Sequence, residues 1–385
     1  MHILIAPNAF KHSLDAASVA AAIDEGLKQS NLKCTTKSFP VGDGGDGTAE
    51  LILQHLNGIT FKTKVQDPLG RMIDASFGLI DNGKTEVIEM ANASGLRLLK
   101  PDELDPLHAT SAGTGELLTR ALDKNVNKII ICIGGSATVD GGTGILQALG
   151  FRFLDKQKRQ LSHLPGELAT LDSIDTSLID DRILNCELIV LCDVENVLLG
   201  KDGAAAVFGP QKGASPEDVK KLEVGLGRLS EVIHAHTGKD VSLIKHGGAA
   251  GGVAAGLFAL LNAQLVNGID YFLSLTNFEE ELKKADVVIT GEGSIDMQTL
   301  HGKGPFGVAK LAKQRNIPVI ALAGSIPSAS SPDLEKYFDV ILSINDKALD
   351  LSEALKRTGE NLTRTAKNVG HSLSERSKIQ DTRTK

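Results

Sequence analysis

The fold of this chain is indicated by residues 2–29, HILIAPNAFKHSLDAASVAAAIDEGLKQ. The segment begins with an apolar run, HILIAP at 2–7, which is typical of a buried strand. It continues as SLDAASVAAAIDEGLKQ at 13–29, where apolar residues recur at helical spacing and Ser13 is placed as the helix N-cap. Because strand–helix units repeat in parallel α/β proteins, this stretch predicts that fold class.

The same pattern returns at both ends of the chain, with a different one between them. TTKSFPV leads through GDGGDGT at 42–48 into a helix, and DVVITGEG at 286–293 again ends a strand in a glycine loop. Residues after about 60 instead predict a β-meander. We therefore expect an outer parallel-sheet α/β domain of residues 1–60 and 285–370, a mixed α/β domain of 61–284 inserted into it, and a flexible tail at 371–385.

Composition excludes several classes of function. The 385 residues are 42% hydrophobic and 23% charged, as in soluble globular proteins. The net charge of −7 gives no basic surface for nucleic acid or a membrane. The N-terminus resembles a first strand and not a signal peptide, so we expect a cytoplasmic protein. The uncharged stretch 247–268 contains many glycines and is expected to be a packed internal helix.

The four cysteines show no spacing that favours a metal site. No CxxC pair is present, and most of the cysteines lie in apolar runs. We expect buried, structural thiols at Cys34, Cys132, Cys186 and Cys192.

One motif matches a nucleotide-binding pattern by letters alone. GLIDNGKT at 78–85 satisfies GxxxxGK[ST]. A phosphate-binding loop needs a helix after the glycines, whereas this stretch runs from a strand through an Asp-Asn-Gly turn into a β-branched segment. We interpret it as a β-hairpin.

Five glycine-rich loops with acids or hydroxyls follow predicted strands. They are APNAFKHS (6–13), GDGGDGT (42–48), GGSATVDGGTG (134–144), CDVENVLLGKDGAAAVFGPQKGA (192–214) and GEGSIDMQTLHGKGP (291–305). A single Gly-Asp loop is often only a turn whose Asp caps a helix, and for Ser13 and Asp140 capping and function are both open. Five such loops at strand ends indicate a ligand site, because the carboxyl ends of parallel strands meet at one edge of a sheet.

The side chains in these loops favour phosphoryl transfer. Magnesium binds through one or two carboxylates plus substrate phosphates, lysines and backbone N–H groups offset phosphate charge, and an Asp can accept the proton of the acceptor hydroxyl. Hydride transfer and nucleophilic hydrolysis fit less well, since GGSATVDGG does not match GxGxxG, no acidic residue closes a second strand at the usual distance, and no GxSxG elbow is present. A non-catalytic sugar-acid or phosphate-binding protein and a magnesium-dependent phosphatase remain alternatives.

In these motifs the chain resembles the type-1 glycerate kinases. APNAFKHSL, FPVGDGGDGTAE, GGSATVDGGTGILQALG, CDVENVLLG, FGPQKGA and ITGEGSIDMQTLHGK carry the resemblance, which covers nearly all of the chain except the C-terminal tail. It implies an enzyme that phosphorylates D-glycerate with ATP and Mg²⁺, usually to 2-phosphoglycerate, in a cleft of a two-domain α/β fold. Glycerate and ATP are the expected partners, and a homo-oligomer is possible.

Candidate site residues are assigned from the loops as a hypothesis. The predicted catalytic residues are Asp43, Asp46 and Lys11; the substrate-binding residues Asn8, Ser13 and Lys303; the nucleotide-binding residues Gly134, Gly135, Ser136 and Thr138; and the metal ligands Asp193 and Asp296.

The first two loops depart from the family's typical pattern. Asn8 and His12 replace an Asp and a Gly, and Asp46 replaces a Glu. Asn8 is a weaker, neutral metal ligand than an Asp but keeps a hydrogen bond to substrate, and His12 is expected to be a solvated loop residue.

Overall fold

The chain, described here from a computed structural model that covers residues 1–327, 331–346 and 350–383, divides into two units. The outer unit comprises residues 1–43 and 269–385, and the inserted unit comprises residues 44–268. The strands are β1 (His2–Ile5), β2 (Thr35–Ser38), β3 (Ile59–Gln66), β4 (Met72–Ile80), β5 (Thr85–Glu89), β6 (Lys128–Cys132), β7 (Arg152–Leu154), β8 (Ser173–Asp175), β9 (Glu187–Cys192), β10 (Gln264–Asn267), β11 (Val287–Ser294), β12 (Val319–Ser325) and β13 (Val340–Ser343). The helices are α1 (Ala16–Lys28), α2 (Thr48–His55), α3 (Ala91–Ser94), α4 (Ala112–Leu122), α5 (Thr143–Ala148), α6 (Ala204–Phe208), α7 (Pro216–Thr237), α8 (Val253–Leu261), α9 (Gly268–Leu275), α10 (Phe278–Leu282), α11 (Gly304–Gln314), α12 (Pro332–Glu335), α13 (Leu351–Lys356) and α14 (Thr358–Arg383).

The outer unit is built on a parallel sheet with the strand order β13-β12-β11-β1-β2. Its core is aliphatic, and Ile3, Ile5, Ile23 and Leu322 are fully buried. Helices α1 and α14 pack so closely that a Cβ on Gly26 would lie 2.2 Å from the Thr363 carbonyl oxygen. These features confirm the predicted parallel α/β architecture.

The inserted unit has a mixed sheet with the order β10-β9-β6-β5-β4-β3. The pairs from β10 to β5 are parallel, whereas β5, β4 and β3 pair in antiparallel fashion. The β4–β5 hairpin, with Gly78 opposite Val87, contains the GLIDNGKT match and confirms that it is not a phosphate-binding loop.

The unit boundaries fall at 43/44 and 268/269, and not at 60/61 and 284/285 as expected from the sequence. Helix α2 belongs to the inserted unit because its Leu53 packs on Gly78 of β4. Phe278 of α10 belongs to the outer unit, where its ring lies 5.1 Å from that of Phe39 in edge-to-face contact. The sequence predicts these helices without showing which sheet each one covers.

The ends of two helices also differ from expectation. Helix α1 is capped by Asp15, whose Oδ1 accepts a 2.8 Å hydrogen bond from the Ser18 N–H, and not by Ser13. Helix α14 continues to Arg383, through most of the segment 371–385 that was expected to be a tail; residues 384–385 lie outside the described part. The continuation has a physical reason, since Val369 is buried and Leu373 packs on the outer core.

The other sequence expectations concern cysteines and membrane segments. None of the four cysteines forms a disulfide; Cys132 and Cys192 are buried, and Cys34 and Cys186 are half-buried. The uncharged stretch contains α8, whose residues are almost all buried. Within residues 1–327, 331–346 and 350–383, no helix is long and apolar enough to cross a membrane.

Candidate active site

Three neighbouring strands of the outer sheet place polar side chains at one edge. β2, β1 and β11 lie side by side and parallel, so their carboxyl ends share that edge. Asn8 follows β1, Asp43 follows β2, and Glu292 lies near the end of β11. Asn8 Nδ2 donates a 2.8 Å hydrogen bond to Asp43 Oδ2, and both side chains are buried. The predicted grouping of Asn8 and Asp43 is thus present in the structure.

Backbone contacts fix the position of Asn8. Its N–H donates to the Gly291 carbonyl at 2.8 Å, and its Oδ1 accepts from the Ala9 N–H at 2.8 Å. A Cβ on Gly304, the first residue of α11, would lie 2.9 Å from Asn8 Nδ2. Glycine at 304 therefore allows the start of α11 to approach this amide.

Glu292 is a further candidate site residue, to which the sequence assignments gave no role. Burial raises the pKa of its carboxyl to about 7, against the opposing effects of Lys303, of a 2.9 Å hydrogen bond from Thr299 Oγ1 and of Lys11. The Asp43 carboxylate also raises this pKa. Asn8, Lys11, Asp43, Glu292 and Lys303 therefore form one group, named here the acid–lysine cluster. The signal in the sequence was an acid at the end of an otherwise apolar strand, VVITGE.

Two predicted site residues have structural partners instead. Asp296 caps the turn 297–301, and its Oδ1 accepts a 2.8 Å hydrogen bond from the Gln298 N–H. Ser13 Oγ donates to the Leu355 carbonyl at 2.7 Å. A metal role for Asp296 and a substrate role for Ser13 stay predictions. His12, as expected, is exposed; its φ of +65° is a left-handed conformation that suits the glycine typical of the family.

In the inserted unit, the glycine loop (residues 134–142) connects β6 to α5. Gly134 N–H donates to the Gly44 carbonyl at 2.9 Å, and a Cβ on Gly134 would lie 2.4 Å from Gly45 Cα. Gly135 is exposed, has a φ of +72°, and would place a Cβ 2.1 Å from Asp46 Oδ1. The second half of GDGGDGT therefore packs directly on the glycine loop and positions the Asp46 carboxylate over Gly135.

The buried Lys212 side chain contacts the glycine loop through hydrogen bonds. The sequence assignments did not include it among the site residues. Its Nζ donates to Ser136 Oγ at 2.8 Å and to the Thr138 carbonyl at 2.6 Å. Burial lowers the pKa of Lys212 to about 7, although Asp140 and Asp193 favour its charged form. Lys212 is separated from its two partners by 74 and 76 residues in the sequence. The local sequence FGPQKGA does not indicate that its lysine contacts the glycine loop.

The role of Asp140, left open by the sequence, is structural. Its Oδ2 accepts hydrogen bonds from Ser111 N–H at 2.9 Å, Ser111 Oγ at 2.7 Å and Gly144 N–H at 3.2 Å. Its Oδ1 accepts from Gly142 N–H at 3.0 Å. Four donors on a fully buried carboxylate hold the glycine loop against the start of α4.

Magnesium was predicted to bind Asp193 and Asp296. Within the part of the chain that the structure describes, no group of three or more His, Cys, Asp or Glu side chains forms a metal site. Asp193 follows β9 in the inserted unit, and Asp296 lies in the outer unit. A magnesium role for Asp193 and Asp296 stays a prediction.

Comparison with known proteins agrees with the fold and with the resemblance seen in the motifs. The sequence model of the "Glycerate kinase family" matches residues 3–374. The "Glycerate kinase" of Bacillus subtilis strain 168 is 43% identical over 373 residues, covering 97% of this chain and 98% of the relative. The "Glycerate 2-kinase" of Escherichia coli K12 is 42% identical with the same coverage.

A solved structure extends the agreement to three dimensions. The crystal structure titled as a putative glycerate kinase 2 from Salmonella typhimurium LT2 matches with a TM-score of 0.82 and 44% identity. The match covers 98% of this chain and 99% of that one. The chain described here therefore belongs to the glycerate kinase family of enzymes.

Proposed function

We propose that this enzyme transfers the γ-phosphoryl group of ATP to a hydroxyl of D-glycerate in the presence of Mg²⁺. 2-Phosphoglycerate is the favoured product, in line with the name of the Escherichia coli relative. The acid–lysine cluster is the observation that carries the proposal. It combines buried carboxylates and an amide with two lysines at one sheet edge, and these groups match the hydroxyls and the carboxylate of a hydroxy acid.

In the outer unit each group has a role in binding or in proton transfer. Lys11 and Lys303 offset the glycerate carboxylate. Asp43, held by Asn8 Nδ2, accepts the proton of the reacting hydroxyl while the new oxygen–phosphorus bond forms. The bond between the γ-phosphorus and the bridging oxygen breaks in the same step, and ADP leaves. Glu292, with a pKa of about 7, can hold or release a proton near neutral pH.

In the inserted unit the glycine loop binds the nucleotide phosphates. Gly135 exposes the backbone of the loop beside the Asp46 carboxylate, while Gly134 acts by packing on Gly45. Ser136 and Thr138 are held by Lys212 and shape the loop. Bound Mg²⁺ would neutralise phosphate charge, with Asp46 and Asp193 as its protein ligands ahead of Asp296, which already caps a turn.

Coupled detection of ADP tests the proposal on the purified enzyme with ATP, Mg²⁺ and D-glycerate. We expect ADP release that depends on glycerate, and a phosphoglycerate product whose position of attachment is read by proton NMR. Binding of glycerate without ADP release would instead indicate a non-catalytic binding protein. Release of inorganic phosphate from phosphoglycerate without any need for ADP would indicate a phosphatase.

A further inference from the structure

A cavity of about 430 Å³ lies in the inserted unit between α2 and the strands β3, β4 and β5. Its apolar wall is formed by Ala49 and Leu53 of α2 and by Val87 of β5. Its polar end contains Glu89 and Arg97. The volume is within the range of small-molecule sites and accommodates one nucleoside. None of the roles given above to the glycine loop or the acid–lysine cluster uses this cavity.

The cavity begins next to the glycine loop. Gly47 lines it, and the preceding residue, Asp46, packs on Gly135. Burial is the main cause that raises the pKa of the Glu89 carboxyl, and the nearby Asp46 carboxylate raises it further. A ligand whose phosphates lie at the glycine loop, beside the Asp46 carboxylate, would pass Gly47 to enter the cavity.

Glu89 occupies a strand end beside the glycine loop. It is the last residue of β5 and pairs with Cys132, the last residue of β6, two positions before Gly134. In dinucleotide-binding α/β folds, phosphates bind a glycine loop after one strand, and an acid at a nearby strand end accepts hydrogen bonds from the ribose hydroxyls. The same juxtaposition is present here on a different topology, and the glycine loop itself does not match GxGxxG.

The two oxygens of Glu89 have different surroundings. Oε2 accepts hydrogen bonds from the N–H groups of Gly47 at 2.9 Å and Ala49 at 3.3 Å, at the start of α2. Oε1 lies 3.5 Å from Arg97 Nη2, and Arg97 also donates to Asn92 Oδ1. The carboxylate is thus fixed in place, and the planar guanidinium of Arg97 at the cavity wall can stack on a base.

We propose that this cavity binds the nucleoside part of ATP, with Glu89 accepting a hydrogen bond from the ribose diol and Arg97 contacting the base. The assignment rests on the proposed function, because it takes the glycine loop as the phosphate site. It adds the position of the nucleoside and a basis for selecting ribonucleotides over nucleotides that lack the diol.

Calorimetric binding of ATP and of 2′,3′-dideoxy-ATP, both with Mg²⁺ and without glycerate, tests the assignment. We expect the wild-type enzyme to bind ATP at least about 10-fold more tightly, since a hydrogen bond to a charged group is lost with the diol. Glu89→Gln should abolish most of this preference by weakening ATP binding while leaving dideoxy-ATP binding nearly unchanged. Glu50→Gln is the matched control, because Glu50 is an exposed acid that also lines the cavity.

The outcomes separate the assignment from the proposed function. Equal affinity of the wild-type enzyme for the two nucleotides, or an unchanged preference in Glu89→Gln, overturns the cavity assignment even if glycerate is phosphorylated. Ribose-selective ATP binding without glycerate-dependent turnover overturns the proposed function alone. If Glu89→Gln fails to fold, the wild-type comparison still decides, and Arg97→Ala should weaken binding of both nucleotides.

Discussion

Two buried glutamates show how strongly local partners determine the behaviour of an acid. Glu292 accepts a hydrogen bond from Thr299 Oγ1, and Lys303 and Lys11 favour its charged form, so its pKa rises only to about 7. Glu86 of β5 is fully buried, and neither of its carboxyl oxygens has a hydrogen-bond partner in the described part of the chain. Burial therefore raises the pKa of Glu86 well above its usual value.

Replacing Glu86 should stabilise the protein in a pH-dependent way. The unfolded chain loses the Glu86 proton above about pH 4.3, whereas the folded chain keeps it until the raised pKa is passed. Stability therefore falls with rising pH in that window, by up to about 1.4 kcal/mol per pH unit from this group. Glu86→Met should remove this slope and stabilise the enzyme by at least about 1–3 kcal/mol at pH 7.

Urea unfolding measured between pH 5 and pH 8 checks this expectation. Glu217→Met serves as the control, because Glu217 is an exposed acid of the same unit. A Glu86→Met variant with the same pH slope as the wild-type enzyme would show that the Glu86 carboxyl is ionised or solvated in the native state.

Asn8 differs from the residue typical of the family, and its amide determines how it contacts Asp43. An Asp is typical of the family at this position, and the change was expected to weaken a metal role. In this structure the amide donates to Asp43, which an ionised Asp could not do. Asn8 therefore positions the proposed base and avoids placing a second negative charge beside it.

At the scale of elements, the glycine loop depends on the turn 210–212, which supplies Lys212. Lys212→Met keeps the length of the side chain but leaves Ser136 Oγ and the Thr138 carbonyl without this donor. We expect the KM for ATP to rise about 10-fold or more, because the loop loses its shape, while the KM for glycerate changes little.

Steady-state kinetics at varied ATP and at varied glycerate separate these two effects. Lys220→Met, an exposed lysine of α7, is the matched control and should leave both constants unchanged. Equal rises of both KM values in Lys212→Met, or no rise in either, would contradict a specific role of Lys212 in shaping the nucleotide loop.

For two glycine-rich stretches, the letter-by-letter motif match and the surrounding secondary structure predict different roles. GLIDNGKT matches a nucleotide-binding motif, yet the β-branched residues after it predict the strand β5 that the structure shows. GGSATVDGG at 134–142 matches no such motif, yet it follows the buried strand β6 and precedes helix α5. The context of the glycines was more informative than their spacing.

At the scale of the whole molecule, the sequence predicted the α/β class, the inserted arrangement and the family. It could not place α2 and α10, because an amphipathic helix can cover either sheet and the choice depends on contacts such as Leu53 on Gly78. For the site, the strand-end rule brought Asn8 and Asp43 together correctly. It gave Asp296 a metal role that stays a prediction and gave Glu292 no role, because the pattern does not distinguish a carboxylate that caps a turn from a buried carboxyl.

The central claim is that Asp43 accepts the proton of glycerate's hydroxyl, and the kcat of Asp43→Asn at saturating ATP and glycerate tests it most directly. We predict a fall of about 10²-fold or more in kcat with a nearly unchanged KM for ATP, because the amide of Asn keeps the shape of the side chain but cannot act as the base. A folded Asp43→Asn enzyme with wild-type kcat would contradict the claim.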